Sequence, residues 1–114
     1  MDTYRLLKDI AWRSHPIAEG VSIKHFISAK EQDLDVTCML VKVPVGIEVP
    51  EHVHSTQDDI LYPLAGRAVM WVDGAGEFIL EPGAVIRVPK GIRHKISRVE
   101  EELLILDVFS PALF

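Results

Sequence analysis

Turn signals recur so closely along this chain that strands fit between them and crossover helices do not. PVG (44–46), DGAG (73–76), EPG (81–83) and PKG (89–91) each interrupt an apolar run, and glycine and proline are the strongest local punctuators a sequence carries. The runs between them read with a strand's period. VSIKHFIS (21–28) alternates, DVTCMLVKV (35–43) is rich in β-branched residues, RAVMWV (67–72) faces EFILE (77–81) across DGAG, and AVIRVP and ELLILDVF (102–109) follow. Eight or more strands at such intervals predict an all-β sandwich or barrel. A parallel α/β sheet would need helices that this pattern does not contain.

Two segments depart from plain alternation. At the N-terminus, Asp2 or Thr3 can cap a short helix over YRLLKDIAW with Leu6, Leu7 and Ile10 on one stripe, and an edge strand is the alternative. Residues 1–20 are thus expected to form an arm on a single domain spanning 1–114, a length that suits one core. ELLILDVF is apolar on both faces, with Leu104, Leu106 and Val108 on one side and Leu103, Ile105 and Phe109 on the other. A strand wet on one face would alternate with polar residues, so a second subunit is expected to cover this one, making a homodimer.

Charge and composition exclude several partner classes. Net charge is −5 and Lys and Arg are scattered, so the basic footprint of a nucleic-acid binder is missing. No apolar run approaches the roughly 18 residues that span a bilayer. The opening MDTYRLLKDIAW lacks a signal peptide's basic start and cleavage site, so a cytoplasmic location is expected. The single cysteine, Cys38, lies in VTCMLV with no cationic activator near it in sequence and reads as a buried, inert thiol.

The titratable chemistry gathers in EHVHSTQDDILYPLAG (51–66). His52 and His54, two apart on a strand, point the same way and can grip one ion. Neutral imidazoles and a carboxylate are ligands a divalent first-row metal accepts, and three histidines with one acid leave a position for water or substrate. Asp59 and a histidine from a neighbouring strand would complete that set, and Pro89 and Gly91 bend the chain so that His94 arrives opposite the pair.

The spacings are specific. Gly46, five residues, His52, one, His54, four, Asp59, six, Gly66 is followed downstream by Gly83, five, Pro89, one, Gly91, two, His94. These blocks resemble the two signature motifs of the cupin superfamily, G-x5-H-x-H-x4-E-x6-G and G-x5-P-x-G-x2-H-x3-N, and cover about half the chain directly. The resemblance implies a double-stranded β-helix, or jelly-roll barrel, holding one divalent transition metal (Mn, Fe, Co, Ni or Zn) on His52, His54, His94 and Asp59. Two departures stand out. Aspartate replaces the usual glutamate, with Asp58 as an alternative ligand at a different spacing, and Arg98 replaces the final asparagine. Counted by strand parity from His94 and Ile96, Arg98 points toward the same cavity, as a substrate contact or as a rim salt bridge to Glu100, Glu101 or Glu102.

The ending LDVFSP (106–111) resembles the last strand of small cupins that open unsaturated uronic acids to linear keto acids. Carried over, Asp107 is a general acid or base and Phe109 a pocket wall. The arginine those enzymes carry two residues after the proline is replaced by Leu113. Independently of the family, Asp107 is the only charge between Leu103 and Phe109, and a carboxyl among such neighbours has its pKa raised by desolvation. His15, in a Ser-His-Pro turn, reads as a surface residue, His25 as a satisfied half-buried one, and Trp71 and Phe78 as core. The function expected is Lewis-acid-assisted isomerisation or ring-opening of a small carboxylated ligand, with Arg98 pairing its carboxylate. An iron-dependent dioxygenase and a non-catalytic binding or sensing module are the alternatives.

Overall fold

The computed structural model describes residues 3–114, and its regular secondary structure is almost entirely strand. In chain order the strands are β1 (Arg13–Ser14), β2 (Ser22–Ile27), β3 (Thr37–Val43), β4 (Val49–His52), β5 (Asp58–Val72), β6 (Gly76–Leu80), β7 (Ile86–Val88) and β8 (His94–Ser110). All pairings are antiparallel, in the order β1-β2-β3-β8-β5-β6, with β4 added to β8 and β7 to β5. The all-β jelly-roll expectation holds.

Two long strands organise the barrel. β5 and β8 pair from Asp58↔Ser110 to Val72↔His94, with register shifts between Pro63 and Val69. Each strand therefore bends midway and serves both ends of the barrel: the second half of β8 carries β3, and its first half carries β4. Bulges of this kind are how a sheet curls over a core. Proline, which donates no ladder hydrogen bond, tolerates such a place, and Pro63 lies at the first shift, fully buried.

Gly66 makes the bend possible. Its φ is +95°, and a Cβ there would lie 2.2 Å from the Glu102 carbonyl oxygen of the facing strand. Only glycine allows both that dihedral and that approach. On β8 the matching irregularity falls at Arg98, whose φ of 48° is left-handed. Beyond the bend, alternation resumes: Leu103 and Ile105 are fully buried inside, with Met70, Val43 and Leu80 packed in the same core. Leu104, Leu106 and Val108 are half-buried on the outer face.

The N-terminal arm differs from the helix expectation. Asp2 lies outside the described residues, and Thr3 caps nothing; the arm makes a single 3-10 turn, Leu7–Asp9, before the short strand β1. Leu6 and Leu7 remain substantially exposed, so the stripe meets too little apolar surface to repay helix nucleation. Polar anchors hold the arm instead. Lys24 Nζ donates to the Leu7 carbonyl at 2.7 Å, and Lys24 and Lys42 flank the Trp12 ring at 4.7 and 4.4 Å. The one α-turn, Ala29–Gln32, was not foreseen; Ser28 caps it through the Glu31 N–H, and the Gln32 side chain accepts the Ser28 N–H. Trp71 is half-buried beside Lys95 and Glu77 rather than in the core, while Phe78 packs against the core as expected. No helix among the described residues is long and apolar enough to cross a membrane.

The bend predicts a contrast between two glycines. Gly66→Ala should cost on the order of 4 kcal/mol or prevent folding. Gly74→Ala, with φ +81° but nothing within 4 Å of the added Cβ, should cost about 1–2 kcal/mol. Equal costs in chemical denaturation would contradict the close approach.

Candidate metal centre

β4 ends on His52, which pairs with His94 at the start of β8. His94 is also opposite Val72, so it sits between two strands and is almost fully buried. His54 lies just past β4, where its carbonyl accepts the Gly91 N–H at 2.7 Å. That bond ties the histidine pair to the Pro-Lys-Gly turn that delivers His94. Ring centroids are 4.9 Å apart for His52 and His54, 4.2 Å for His52 and His94, and 5.4 Å for His54 and His94. One donor nitrogen from each lies within 4.8 Å of the others. Small ring rotations close that span to the ~3.3 Å that separates two nitrogens on a common tetrahedral ion.

Two backbone carbonyls orient the rings. His52 Nδ1 contacts the Pro50 oxygen at 2.7 Å, and His94 Nδ1 contacts the Ile92 oxygen at 3.0 Å. A carbonyl only accepts, so each Nδ1 carries the proton and each Nε2 keeps its lone pair. Burial lowers the pKa of His52 and brings that of His54 down to about 4, outweighing the opposing effect of Asp59 on the latter. Both are thus neutral at pH 7, the form that ligates a metal.

The β5–β8 ladder supplies the acids. Asp59 is opposite Phe109 and Leu61 opposite Asp107, which makes Asp59 and Asp107 diagonal neighbours on the inner face. Both are buried, and their carboxyl groups share a hydrogen bond. The Asp107 pKa is raised well above the carboxylate range, chiefly by burial, then by the charge of Asp59 and the shared bond. Asp59 Oδ2 lies 3.5 Å from His94 Nε2 and 3.9 Å from His54 Nε2. The alternative acid, Asp58, points away. It binds Arg87 Nη2 at 2.9 Å and accepts the Lys90 N–H at 3.0 Å.

Asp59 Oδ1, His94 Nε2 and Asp107 Oδ1 are buried with no hydrogen-bond partner. Each such atom costs about 1–3 kcal/mol, and native proteins rarely leave several side by side. A cation among the three imidazoles would satisfy His94 Nε2, and Asp59 presents its Oδ2 to the same nitrogens, so the donor set fits a metal. The third unpartnered atom belongs to Asp107, which lines the adjoining cavity.

These groups open into a cavity of about 310 Å³. Its walls are largely apolar: Met39, Val41, Leu61, Ile105, Phe109 and Leu113. Phe109 meets His54 edge-on at 5.0 Å. Arg98 requires a correction, because the parity count fails at its left-handed backbone. The bulge turns it to the exterior, where it is exposed and pairs with Glu77 at 3.3 Å, not with Glu100, Glu101 or Glu102. No Lys or Arg lines the cavity among the described residues. His15 also differs from its surface reading and lines the mouth with Pro16 and Ile17. His25 is buried against Phe114 at 4.4 Å, outside the cavity lining, with an unpartnered Nε2. His15 and the C-terminal Leu113 and Phe114 were missed as site residues because their proximity to residues 52–59 is set by sheet pairing, and no local spacing encodes it.

A family model described as a cupin domain matches residues 39–109. An uncharacterised protein of Streptomyces coelicolor is 38% identical over 55 residues, 48% of this chain and 51% of that protein. The chain spans about half the length of the curated relatives it matches. Among solved structures, KdgF from Halomonas sp. superimposes with a TM-score of 0.79 at 24% identity, covering 93% of this chain and 92% of that one. The polyketide cyclase RemF from Streptomyces resistomycificus gives 0.82 at 18% identity, covering 100% and 87%. The structural matches establish the barrel, and the family match spans every strand that builds the histidine cluster: this chain belongs to the cupin domain family.

Proposed function

We propose that the chain binds one divalent transition metal through His52, His54, His94 and Asp59 and acts on a small, largely apolar molecule carrying a metal-binding oxygen function. The observation that carries this reading is the pair of buried, diagonally neighbouring carboxyls, Asp59 and Asp107, set beside three clustered histidines in the lining of one cavity. A metal held there supplies Lewis acidity toward a carbonyl or carboxylate oxygen. Asp107 does the proton work. Its raised pKa favours the protonated carboxyl, whose proton is poised to be given to or recovered from the ligand. Phe109 and the aliphatic walls hold the ligand and exclude water.

Isomerisation or ring-opening fits these parts, since proton transfer beside an electrophile needs no redox change. Relative to the uronate-opening cupins that LDVFSP resembles, Asp107 and Phe109 keep their places in the cavity. The cations do not: Leu113 stands where those enzymes carry arginine, and Arg98 lies outside. The ligand proposed here is therefore less polar than a uronic acid, in keeping with the aliphatic walls, and its single carboxylate would be met by the metal itself.

The homodimer is proposed from the outer face of β3, β8 and β5. There Leu40, Leu106 and Tyr62 are in register, and Ile60, Tyr62 and Leu64 are substantially exposed. An apolar sheet face of this extent fits a second copy of itself.

Protein purified without chelator should hold about one equivalent of metal per chain, and His52→Ala should lose it. Asp107→Asn should keep the metal and lose turnover about 100-fold or more, with no dissolved oxygen consumed by the wild type. Metal retained by His52→Ala, or oxygen uptake stoichiometric with turnover, would contradict the reading. For the dimer, sedimentation at micromolar concentration should give twice the 12.8 kDa chain mass, and Leu64→Glu should halve it. A wild-type mass equal to one chain would overturn the dimer.

A further inference from the structure

His15 is absent from both histidine motifs, yet it lines the mouth of the cavity that holds His52, His54 and His94. Its ring is fixed by its own loop. The backbone N–H groups of Ile17 and Ala18 both donate to His15 Nδ1, each at 3.1 Å. A ring nitrogen that accepts two N–H donors carries no proton, so the proton of a neutral His15 is on Nε2, across the ring from the loop. The loop is itself anchored: β1 pairs with β2, the His15 N–H donates to the Val21 carbonyl at 2.9 Å, and Ala18 and Val21 are buried. The ring is thus held as a donor by groups that do not depend on any ligand.

The rest of the lining makes such a donor conspicuous. Among the described residues no Lys or Arg lines the cavity. The Nδ1–H groups of His52 and His94 are spent on backbone carbonyls. Asp59 and Asp107 are buried carboxyls assigned, in the proposed function, to the metal and to proton transfer. His15 Nε2–H makes no hydrogen bond among the described residues and is not one of the buried unsatisfied atoms, so it is open to whatever enters the mouth. Burial and the nearby His52 both lower its pKa, which preserves the neutral ring.

We infer that His15 is a ligand-recognition residue, whose Nε2–H donates a hydrogen bond to an acceptor oxygen at the end of the ligand remote from the metal. The ligand class narrows accordingly. It carries one oxygen function for the metal, an apolar middle matched to the aliphatic walls, and a second, uncharged acceptor such as a carbonyl. The metal half of this description rests on the proposed function; the donor half does not.

The test separates the two. In metal-free protein, long-range proton–nitrogen NMR correlation of the histidine ring should show His15 protonated on Nε2 with a bare Nδ1. A proton on Nδ1 overturns the assignment whether or not the chain binds metal. His15→Asn is the informative variant, because its Oδ1 replaces Nδ1 as acceptor for the Ile17 and Ala18 amides while nothing replaces Nε2–H. It should melt like the wild type and load zinc equally. Calorimetry on zinc-loaded protein with 2-oxohexanoate and 2,5-dioxohexanoate, which differ by one distal carbonyl, should show about a tenfold preference for the dioxo acid, lost in His15→Asn. Equal affinities in the wild type, or a preference that survives in the variant, would overturn it. A chain that takes up no zinc fails the metal reading and leaves the NMR result to decide His15.

Discussion

The pairing of β5 with β8 is the constraint on which the rest of the molecule depends. It runs nearly the full length of both strands, and its register shifts all fall between Pro63 and Val69, the stretch in which Gly66 approaches the Glu102 carbonyl. Without that close approach the two strands would lie as a straight ribbon, and the halves that carry β3 and β4 could not face each other across one core. The bend is thus where a local backbone permission, a glycine at positive φ, becomes the global shape of the barrel. It is also why one side chain in the middle of β8 escapes simple alternation: Arg98 takes up the irregularity and leaves the inner face to its neighbours.

The same ladder sets the chemistry. Register alone puts Asp59, Phe109 and Asp107 on adjoining rungs and brings His94 between β4 and β5. The polypeptide then spends backbone carbonyls on the Nδ1 atoms of His52 and His94, leaving the buried lone pair of His94 Nε2 with no partner. A fold that satisfied only its own interior would not gather Asp59 Oδ1, His94 Nε2 and Asp107 Oδ1 in one place. Their cost is local, and the continuous apolar core of Leu103, Ile105 and their neighbours offsets it.

Most of the architecture was legible because strand period and turn residues are local signals. β2, β3, β6 and the end of β8 fall within the runs that alternation marks, and the motif spacings located the three histidines. What was hidden depends on distance or on irregular backbone. YPLAG conceals the first half of a long strand, since a proline and a glycine ordinarily end one. Arg98 was misplaced because parity counting presumes an unbroken pleat. The N-terminal helix failed because amphipathic spacing says nothing about whether an apolar partner exists, and here Leu6 and Leu7 find little. His15 was read as surface because its relation to His52 passes through β1 and β2, and no spacing in the chain records it.

The central claim is that three imidazoles, brought together by the bend and the ladder, form one coordination sphere. X-ray absorption at the metal edge of the loaded protein tests it most directly. The expected spectrum shows outer-shell scattering from three imidazole rings, falling to two in His94→Ala, with a carboxylate oxygen in the inner shell. A sphere made of oxygen alone, or one unchanged by that substitution, would contradict it.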